Sequence, residues 1–187
     1  DELTIRLTFN AEHFTEGWFV MITIQNAING RKVTSASTRT SAVYNPATGE
    51  QTATLPLSTR DDVNEAIAAA KAASSGWGST PPLKRIKPIF KFKELLEANA
   101  DKIARAISSE HGKTHPDALG ELQRGIDVVD FACGIPHLLK GEFSRNVGPD
   151  IDSWSDRQPL GVVAGITPFN FPAMVPMWMF PVAIACG

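Results

Sequence analysis

The chain has 187 residues, of which 43% are hydrophobic and 20% are charged, as is ordinary for a soluble globular protein. Its formal net charge of -2 argues against a basic surface for nucleic acid or an anionic membrane. Its two cysteines, Cys133 and Cys186, are too few for a disulfide scaffold and indicate a reducing compartment, so we expect a cytoplasmic protein.

Residues 1–20 differ in character from the rest of the chain. The segment has neither the basic start nor the apolar run of a secretory signal peptide. The sequence becomes more coherent from Met21 onward. We therefore expect residues 1–20 to be a non-native or disordered extension, with a genuine native extension as the alternative.

Residues 22–57 are typical of strands and turns. Asn29-Gly30 predicts a hairpin turn, and residues 45–49 (NPATG) predict a second turn. Ser58 predicts the start of a first helix, with Asp61 as its capping-box partner and residues 76–78 (GWG) as its end. The apolar stripe of this helix would consist of Val63, Ala66, Ile67, Ala70 and Ala73.

Three further helices are predicted between residues 80 and 136. The second helix opens at residues 80–82 (TPP), and Pro88 is expected to kink it or reset its start. The third ends at Gly112, and the fourth runs from about Pro116 to residues 134–136. Their core positions are Leu83, Ile86, Phe90, Leu95 and Leu96, then Ile103, Ala104 and Ile107, then Leu122, Ile126, Val129 and Cys133.

Residues 159–187 carry no charged side chain. Five prolines within them argue against a membrane-spanning helix. We expect instead a buried strand at residues 160–166, a turn, and a buried helix after Pro172. An apolar end without a cap is unusual for a domain, so we expect the chain to be truncated at Gly187. Helices followed by a buried strand that feeds a helix predict the α/β class.

Several motifs in the helical region do not predict the chemistry that they superficially suggest. Residues 112–114 (GKT) lack the upstream glycine and the preceding strand of a phosphate loop, so a glycine helix cap is preferred. His111 and His115 lack the glutamate and the helical context of a zinc pair, and we expect no metal site. Cys133 and Cys186 are interpreted as buried apolar residues and not as nucleophiles.

Arg124 lies on the predicted fourth helix among the residues of a second apolar face, with Val128 and Phe131. One interpretation is a surface arginine whose stem covers apolar area, and the helical pattern alone favours it. The other is a fixed cation in a partly desolvated pocket, suited to binding a carboxylate.

Asn170 lies in the predicted turn between the buried strand and the last helix, flanked by two aromatic residues and two prolines. The carboxyl ends of strands in α/β folds are common ligand sites. Asn170 is either a turn residue bonded to its own backbone or a donor directed at a developing oxyanion. The strand is not followed by the glycine-rich fingerprint of a classical dinucleotide site.

These segments resemble the aldehyde dehydrogenase superfamily. The resemblance is carried by residues 166–172 (ITPFNFP) after residues 159–163 (PLGVV), and by residues 44–50 (YNPATGE). Residues 131–142 (FACGIPHLLKGE) and 174–181 (MVPMWMFP) are similar to the CoA-acylating methylmalonate-semialdehyde branch, as is Phe169. The resemblance implies the N-terminal part of that fold: strand hairpins, a helical layer and the start of a Rossmann-like parallel sheet. Residues 21–187 would then be an incomplete NAD-binding domain.

The resemblance also implies roles for individual residues. Asn170 would stabilise the thiohemiacetal oxyanion, and Arg124 would hold the substrate carboxylate. The residues expected to contact NAD are Ile166, Thr167, Pro168 and Phe169. The aromatic lining of the aldehyde tunnel would be Phe171 and Trp178. The nucleophilic cysteine and the downstream glutamate would lie beyond Gly187.

The implied reaction is the NAD-dependent oxidation of malonate or methylmalonate semialdehyde with decarboxylation and acyl transfer to CoA. The alternatives are a hydrolytic aldehyde dehydrogenase and a non-catalytic binding module. The expected partners are the semialdehyde, NAD and CoA, without nucleic acid or membrane. The full-length enzyme is expected to be a homodimer or homotetramer, and this chain alone is expected to be inactive.

Overall fold

The computed structural model describes residues 21–187, so the expectation for residues 1–20 lies outside the described part of the chain. The strands are β1 (Ile22–Thr23), β2 (Asn26–Ile28), β3 (Arg31–Val33), β4 (Thr40–Tyr44), β5 (Gln51–Pro56), β6 (Phe143–Gly148) and β7 (Ile151–Trp154). The helices are α1 (Arg60–Gly78), α2 (Pro82–Ala98), α3 (Ala100–His111), α4 (His115–Cys133), α5 (Ile135–Leu138) and α6 (Met174–Cys186).

The strands form three small sheets, and both predicted turns are confirmed. β2 and β3 form an antiparallel hairpin at Asn29 and Gly30, whose φ angles of 50° and 70° match the mirror-image turn that such short loops favour. β4 pairs antiparallel with β5 across residues 45–49, and β5 pairs parallel with β1. β6 and β7 form a separate hairpin.

The core lies among α2, α3, α4 and α6, with α4 at its centre in contact with the other three. The predicted stripe of α4 is confirmed, because Leu122, Ile126, Val129 and Cys133 are all buried. Side chains of this size contribute about 1.5–3 kcal/mol each when fully buried. The predicted core positions of α3 are also buried, and Gly112 ends that helix with a φ of 84°.

The capping box of α1 lies one residue later than predicted. Thr59 is the N-cap, and its hydroxyl accepts from the Asp62 N–H while Asp62 accepts from the Thr59 N–H. Ser58 instead exchanges hydrogen bonds with the Asn26 side chain of β2, which removes it from the capping position.

The predicted core faces of α1 and part of α2 are wrong. No residue of α1 is buried, and Val63 and Ile67 are about half exposed. In α2, Ile86 and Leu96 are buried as predicted. The other core positions of this helix are Ile89 and Phe92. The predicted core residues Leu83, Phe90 and Leu95 are exposed. α2 packs mainly on α4 and α6, so only its side toward them is covered. The helix continues through Pro88 from a start at Pro82.

The predicted buried strand at residues 160–166 is not formed. These residues are exposed, Leu160 and Ile166 at 93% each. A parallel strand needs a neighbouring strand for its main-chain hydrogen bonds and covering layers for its side chains. Within residues 21–187 no strand lies beside this segment. The helix predicted after Pro172 is confirmed as α6.

α6 is held at its C-terminal end by the buried side chain of Arg85. The guanidinium donates to the carbonyls of Ala185 at 3.1 Å and Cys186 at 3.2 Å, and to those of Gly78 and Thr80. The Trp77 indole N–H donates to the Ile184 carbonyl at 2.8 Å. A cation at this position complements the negative end of the helix dipole.

Candidate active site

Asn170 lies in the exposed turn that leads into α6. Its side-chain amide forms no hydrogen bond with any residue in the range 21–187, so the alternative of a turn residue bonded to its own backbone does not apply. The amide is exposed rather than buried, which differs from the enclosed position that its flanking aromatics and prolines suggest. It is therefore a free donor at the start of a helix.

The turn is brought close to α4 by Gly125. A Cβ atom at this position would lie 2.2 Å from Met177 Cε and 3.3 Å from Met174 Cα. A side chain here would force the Met177 side chain to move and would press on the α6 main chain at Met174, so glycine allows the two helices to approach this closely. Gly125 lies one turn after Glu121, so the close approach brings the Glu121 carboxylate within reach of the α6 N-terminus.

Glu121 is fully buried and caps α6 from the neighbouring helix. Its Oε1 atom accepts from the backbone N–H groups of Ala173 at 2.9 Å and Met174 at 3.1 Å. These N–H groups belong to the first turn of the helix, where no intrahelical partner exists. The carboxylate thus supplies both the missing acceptor and the negative charge that a helix N-terminus favours.

Lys113 completes the charge balance of this buried carboxylate. Its Nζ atom lies 2.5 Å from Glu121 Oε2 and donates at 2.9 Å to the main-chain carbonyl of Asn170. The same ammonium group lies 4.5 Å from the ring centroid of Phe171. Lys113 therefore links α4 to the turn through one ion pair, one hydrogen bond and one cation–π contact.

Glu121 remains ionised at neutral pH. Burial acts to raise its pKa, but the hydrogen bond from Lys113 and those from the N–H groups of Ala173 and Met174 outweigh burial. The net result is a Glu121 pKa below the usual range.

Arg124 lies beside the same turn. Its guanidinium carbon is 5.9 Å from the Phe171 ring centroid, and its Nε atom donates to Met174 Sδ at 3.2 Å. The side chain is exposed overall. Within residues 21–187 no carboxylate oxygen lies within ion-pair distance of it. Arg124 thus combines an anchored stem with a cation that these residues leave without a counter-ion.

The structure brings some of the predicted site residues together and leaves others apart. Asn170, Phe171 and Arg124 cluster at the α6 N-terminus. The residues expected to contact NAD, which are Ile166, Thr167, Pro168 and Phe169, form the exposed segment before this cluster, with Phe169 95% exposed. Trp178 lies one turn after Met174 on α6 and is 46% exposed.

Two residues of the cluster, Lys113 and Glu121, were not predicted from the sequence. Glu121 falls on the apolar stripe of α4, one turn before Gly125, and a charge at such a position signals a buried acid that needs a partner. The sequence therefore contains a signal for the buried position of Glu121. Lys113 lies 57 residues from Asn170 along the chain, and no local pattern reveals that contact.

The two cysteines lie away from the turn cluster and have different exposure. Cys133 is buried, while Cys186 is half-buried. Burial is the largest cause of a raised pKa at the Cys133 thiol, and nearby Asp130 adds to it. A raised thiol pKa lowers the fraction of nucleophilic thiolate.

No helix in the described part of the chain is long and apolar enough to cross a membrane.

Comparison with known proteins identifies close relatives of this chain. It is 56% identical over 167 residues to malonate-semialdehyde dehydrogenase of Pseudomonas aeruginosa, covering 89% of this chain and 33% of that protein. It is 51% identical over 164 residues to malonate-semialdehyde dehydrogenase 1 of Geobacillus kaustophilus, covering 88% and 34%. The chain therefore spans about a third of the length of the curated relatives it matches.

Solved structures of the same kind are similar in backbone. A methylmalonate-semialdehyde dehydrogenase from Oceanimonas doudoroffii superimposes with a TM-score of 0.86 at 61% identity, covering 89% of this chain and 34% of the other. A Sinorhizobium meliloti protein described by the same activity and solved with NAD gives 0.87 at 48% identity, covering 90% and 34%. The model of the aldehyde dehydrogenase family matches residues 33–187. The chain belongs to the aldehyde dehydrogenase family.

Proposed function

We propose that this chain supplies the N-terminal third of an NAD-dependent dehydrogenase that oxidises malonate or methylmalonate semialdehyde. The observation that carries the proposal is the position of Arg124. Its guanidinium lies against Phe171 at the Asn170 turn, without a carboxylate partner among residues 21–187. A substrate that carries both an aldehyde and a carboxylate matches this pairing of an amide donor and a cation.

The carboxylate preference follows from the two cations near Phe171. Lys113 is neutralised by Glu121, so Arg124 is the one left to bind an anion. The planar guanidinium donates two parallel hydrogen bonds to a carboxylate, which fixes orientation as well as charge. The sulfur and aromatic contacts of Arg124 limit the freedom of its stem and reduce the entropy lost on binding.

Asn170 is proposed as the oxyanion donor. A thiolate that attacks the aldehyde carbonyl places negative charge on its oxygen, and an oriented amide N–H stabilises that charge more than it stabilises the neutral carbonyl. The thiolate itself is not assigned to Cys133 or Cys186. Its position belongs to the part of the enzyme that this chain does not cover.

The residues before the turn suit a dinucleotide. Ile166 and Phe169 present exposed apolar side chains next to the Thr167 hydroxyl, which offers a surface for a flat ring and one polar contact. NAD, when bound, serves as the hydride acceptor of the oxidation. The Sinorhizobium meliloti neighbour solved with NAD supports this cofactor.

The proposed overall reaction is balanced as malonate semialdehyde, NAD⁺ and CoA giving acetyl-CoA, CO2 and NADH. The aldehyde C–H bond breaks with transfer of a hydride to NAD⁺, and the carboxylate leaves as CO2 while the α-carbon takes up a proton. The acyl group passes to the CoA sulfur, whose thiol loses one proton, so the protons balance. The methylmalonate analogue gives propionyl-CoA. The activity named for the relatives supports the semialdehyde as substrate, and acyl transfer to CoA is the further step of this proposal.

The test uses the full-length protein that contains this segment. NADH formation and acyl products are measured with malonate semialdehyde and with propanal, for the wild type and for Arg124→Leu. We expect CoA-dependent formation of acetyl-CoA by the wild type. We expect Arg124→Leu to raise the KM for malonate semialdehyde by about 100-fold, as for loss of a charged hydrogen-bonded contact, with little change for propanal.

Three results would contradict the proposal. Absence of NAD-dependent aldehyde oxidation would remove the dehydrogenase assignment itself. Release of free acid without any dependence on CoA would replace acyl transfer by hydrolysis. Equal KM increases for both aldehydes would show that Arg124 does not bind the substrate carboxylate and has a structural role at the protein surface.

A further inference from the structure

We propose that Lys113 and Glu121 are positioning residues that fix the direction of the Asn170 amide, an inference that rests on the oxyanion role proposed above. The two charges neutralise each other in a buried ion pair, so neither is left uncompensated to attract a substrate. Their contacts end instead on the main chain of residues 170, 173 and 174. They therefore set the backbone from which the Asn170 side chain projects.

Residues 160–170 form an exposed segment that is restrained at one point. Within the described chain, the bond from Lys113 Nζ to the Asn170 carbonyl is the single hydrogen bond made by residues 160–170. The side chains of this segment are exposed, so packing does little to hold it. An exposed stretch with few hydrogen bonds opens at low free energy unless one contact restrains it. Lys113 provides that contact at Asn170, the residue whose side-chain amide is the proposed oxyanion donor.

The main chain on the other side of the turn is also restrained. Glu121 holds the Ala173 and Met174 N–H groups, while Lys113 holds the Asn170 carbonyl, so the backbone is fixed on both sides of Phe171. The two anchors are joined by an ion pair with exposures of 11% for the lysine and 0% for the glutamate side chain. A buried pair with all its partners in place is rigid, because each group loses its own bonds if it moves.

Lysine suits position 113 better than a neutral side chain or an arginine would. An ammonium group offers three donors in a tetrahedral arrangement. In this structure it bonds to Glu121 and to the Asn170 carbonyl and lies over the Phe171 ring. A neutral side chain would leave the Glu121 charge uncompensated in the interior. An arginine keeps the charge but has a planar fork that does not match this geometry.

Lys113 and Glu121 would affect the catalytic rate through the position of Asn170, without contacting the substrate themselves. A displacement of a catalytic group by about 1 Å costs on the order of 100-fold in rate. The Asn170 amide acts on the carbonyl oxygen that every aldehyde has in common. Loss of the anchor should therefore lower kcat for charged and uncharged aldehydes alike, in contrast to loss of Arg124, which affects the KM of carboxylated ones.

The experiment uses the full-length enzyme with the Lys113→Met substitution. We expect kcat to fall about 10- to 100-fold for both malonate semialdehyde and propanal, with KM changed less than threefold. Lys113→Arg should restore part of the rate. The matched control is Lys93→Met, which breaks the Lys93–Asp130 ion pair between α2 and α4 without touching the turn, and should leave kcat within twofold of the wild type.

A second variant covers the case in which a lone buried Glu121 charge prevents folding. Lys113→Met combined with Glu121→Gln removes both charges, and its folding is checked by thermal melting and by hydrogen exchange of residues 166–175. Wild-type kcat in either folded variant would overturn the proposal, and so would failure of both to fold, which would make the pair a structural element. An inactive wild-type enzyme would instead remove the proposed function.

Discussion

The two ends of α6 are held by the same physical device with opposite signs. At the C-terminal end, the buried Arg85 guanidinium binds the last carbonyls of the helix. At the N-terminal end, the buried Glu121 carboxylate binds the first N–H groups. Both charges come from neighbouring helices, and both have the sign that the helix dipole favours at that end.

The ends differ in what lies beyond these contacts. Among residues 21–187, the hydrogen bonds of the Arg85 side chain all go to main-chain carbonyls, at the end of α6, at the end of α1 and in the α1–α2 connection. Glu121 connects through Lys113 to an exposed turn, where residues 21–187 offer no hydrogen-bond partner to the Asn170 amide and no carboxylate partner to the neighbouring Arg124. A buried charge at a helix end therefore contributes stability in both places, and we expect a contribution to catalysis only at the N-terminal end.

The largest expected change in stability is at the C-terminal end. Arg85→Ala leaves four carbonyls without their donor, and charged hydrogen bonds are worth about 1.5–3 kcal/mol each before water recovers part of the loss. We expect the free energy of unfolding to fall by about 3–5 kcal/mol, measured by denaturant titration. The kcat of the remaining folded enzyme should stay near that of the wild type.

The matched control for this change is Arg105→Ala, which removes an exposed arginine from the surface of α3. It should change stability little. The comparison between the two helix ends fails if Arg85→Ala is as harmless as Arg105→Ala, or if it lowers kcat in proportion to its loss of stability.

A smaller effect is expected in the pH dependence of stability. The pKa of Glu121 is lower in the folded state than its ordinary value. The contribution of the ionised carboxylate to the free energy of unfolding is therefore complete above the ordinary glutamate pKa of about 4.3. That contribution is lost as the pH falls through the lower pKa of the folded state. Glu121→Gln should therefore lower Tm at neutral pH and flatten the acid side of the curve of Tm against pH. We expect the substitution to lower the free energy of unfolding by about 1–3 kcal/mol at pH 7. The loss is limited because glutamine retains an acceptor for the helix N–H groups.

Glu97→Gln serves as the control here, since Glu97 is a half-exposed glutamate near the end of α2. It measures how much flattening comes from removing any single carboxylate. An acid limb for Glu121→Gln that is as steep as that of the wild type would show that the buried charge is not held in the manner described.

The hairpin turn between β2 and β3 and the core faces of α3 and α4 were predictable from the sequence, and the reason is local. Asn29-Gly30, Gly112 and the apolar stripe of α4 each encode their structure within a few residues. The exposed segment at residues 160–166 was not predictable in the same way. Its apolar sequence is typical of a buried strand, but burial depends on neighbouring strands and layers that a local pattern does not specify.

The candidate site divides in the same way. Asn170, Phe171 and Arg124 were identified from sequence segments, and the structure brings them together. Lys113 follows a glycine cap and carries no pattern of its own, since its partners lie 8 and 57 residues away. Glu121 left a readable signal as a charge on an apolar stripe, but only the close approach of α6 at Gly125 shows what it binds.

The most direct test of the central claim is the rate of the Asn170→Ala variant of the full-length enzyme. Removal of an oxyanion donor is expected to lower kcat by about 100- to 1,000-fold for malonate semialdehyde and propanal alike. Tm should stay unchanged, because the amide is exposed and bonds to no side chain or backbone group within residues 21–187. A kcat within a few-fold of the wild type would contradict the assignment of the α6 N-terminal turn as the catalytic end of this helix.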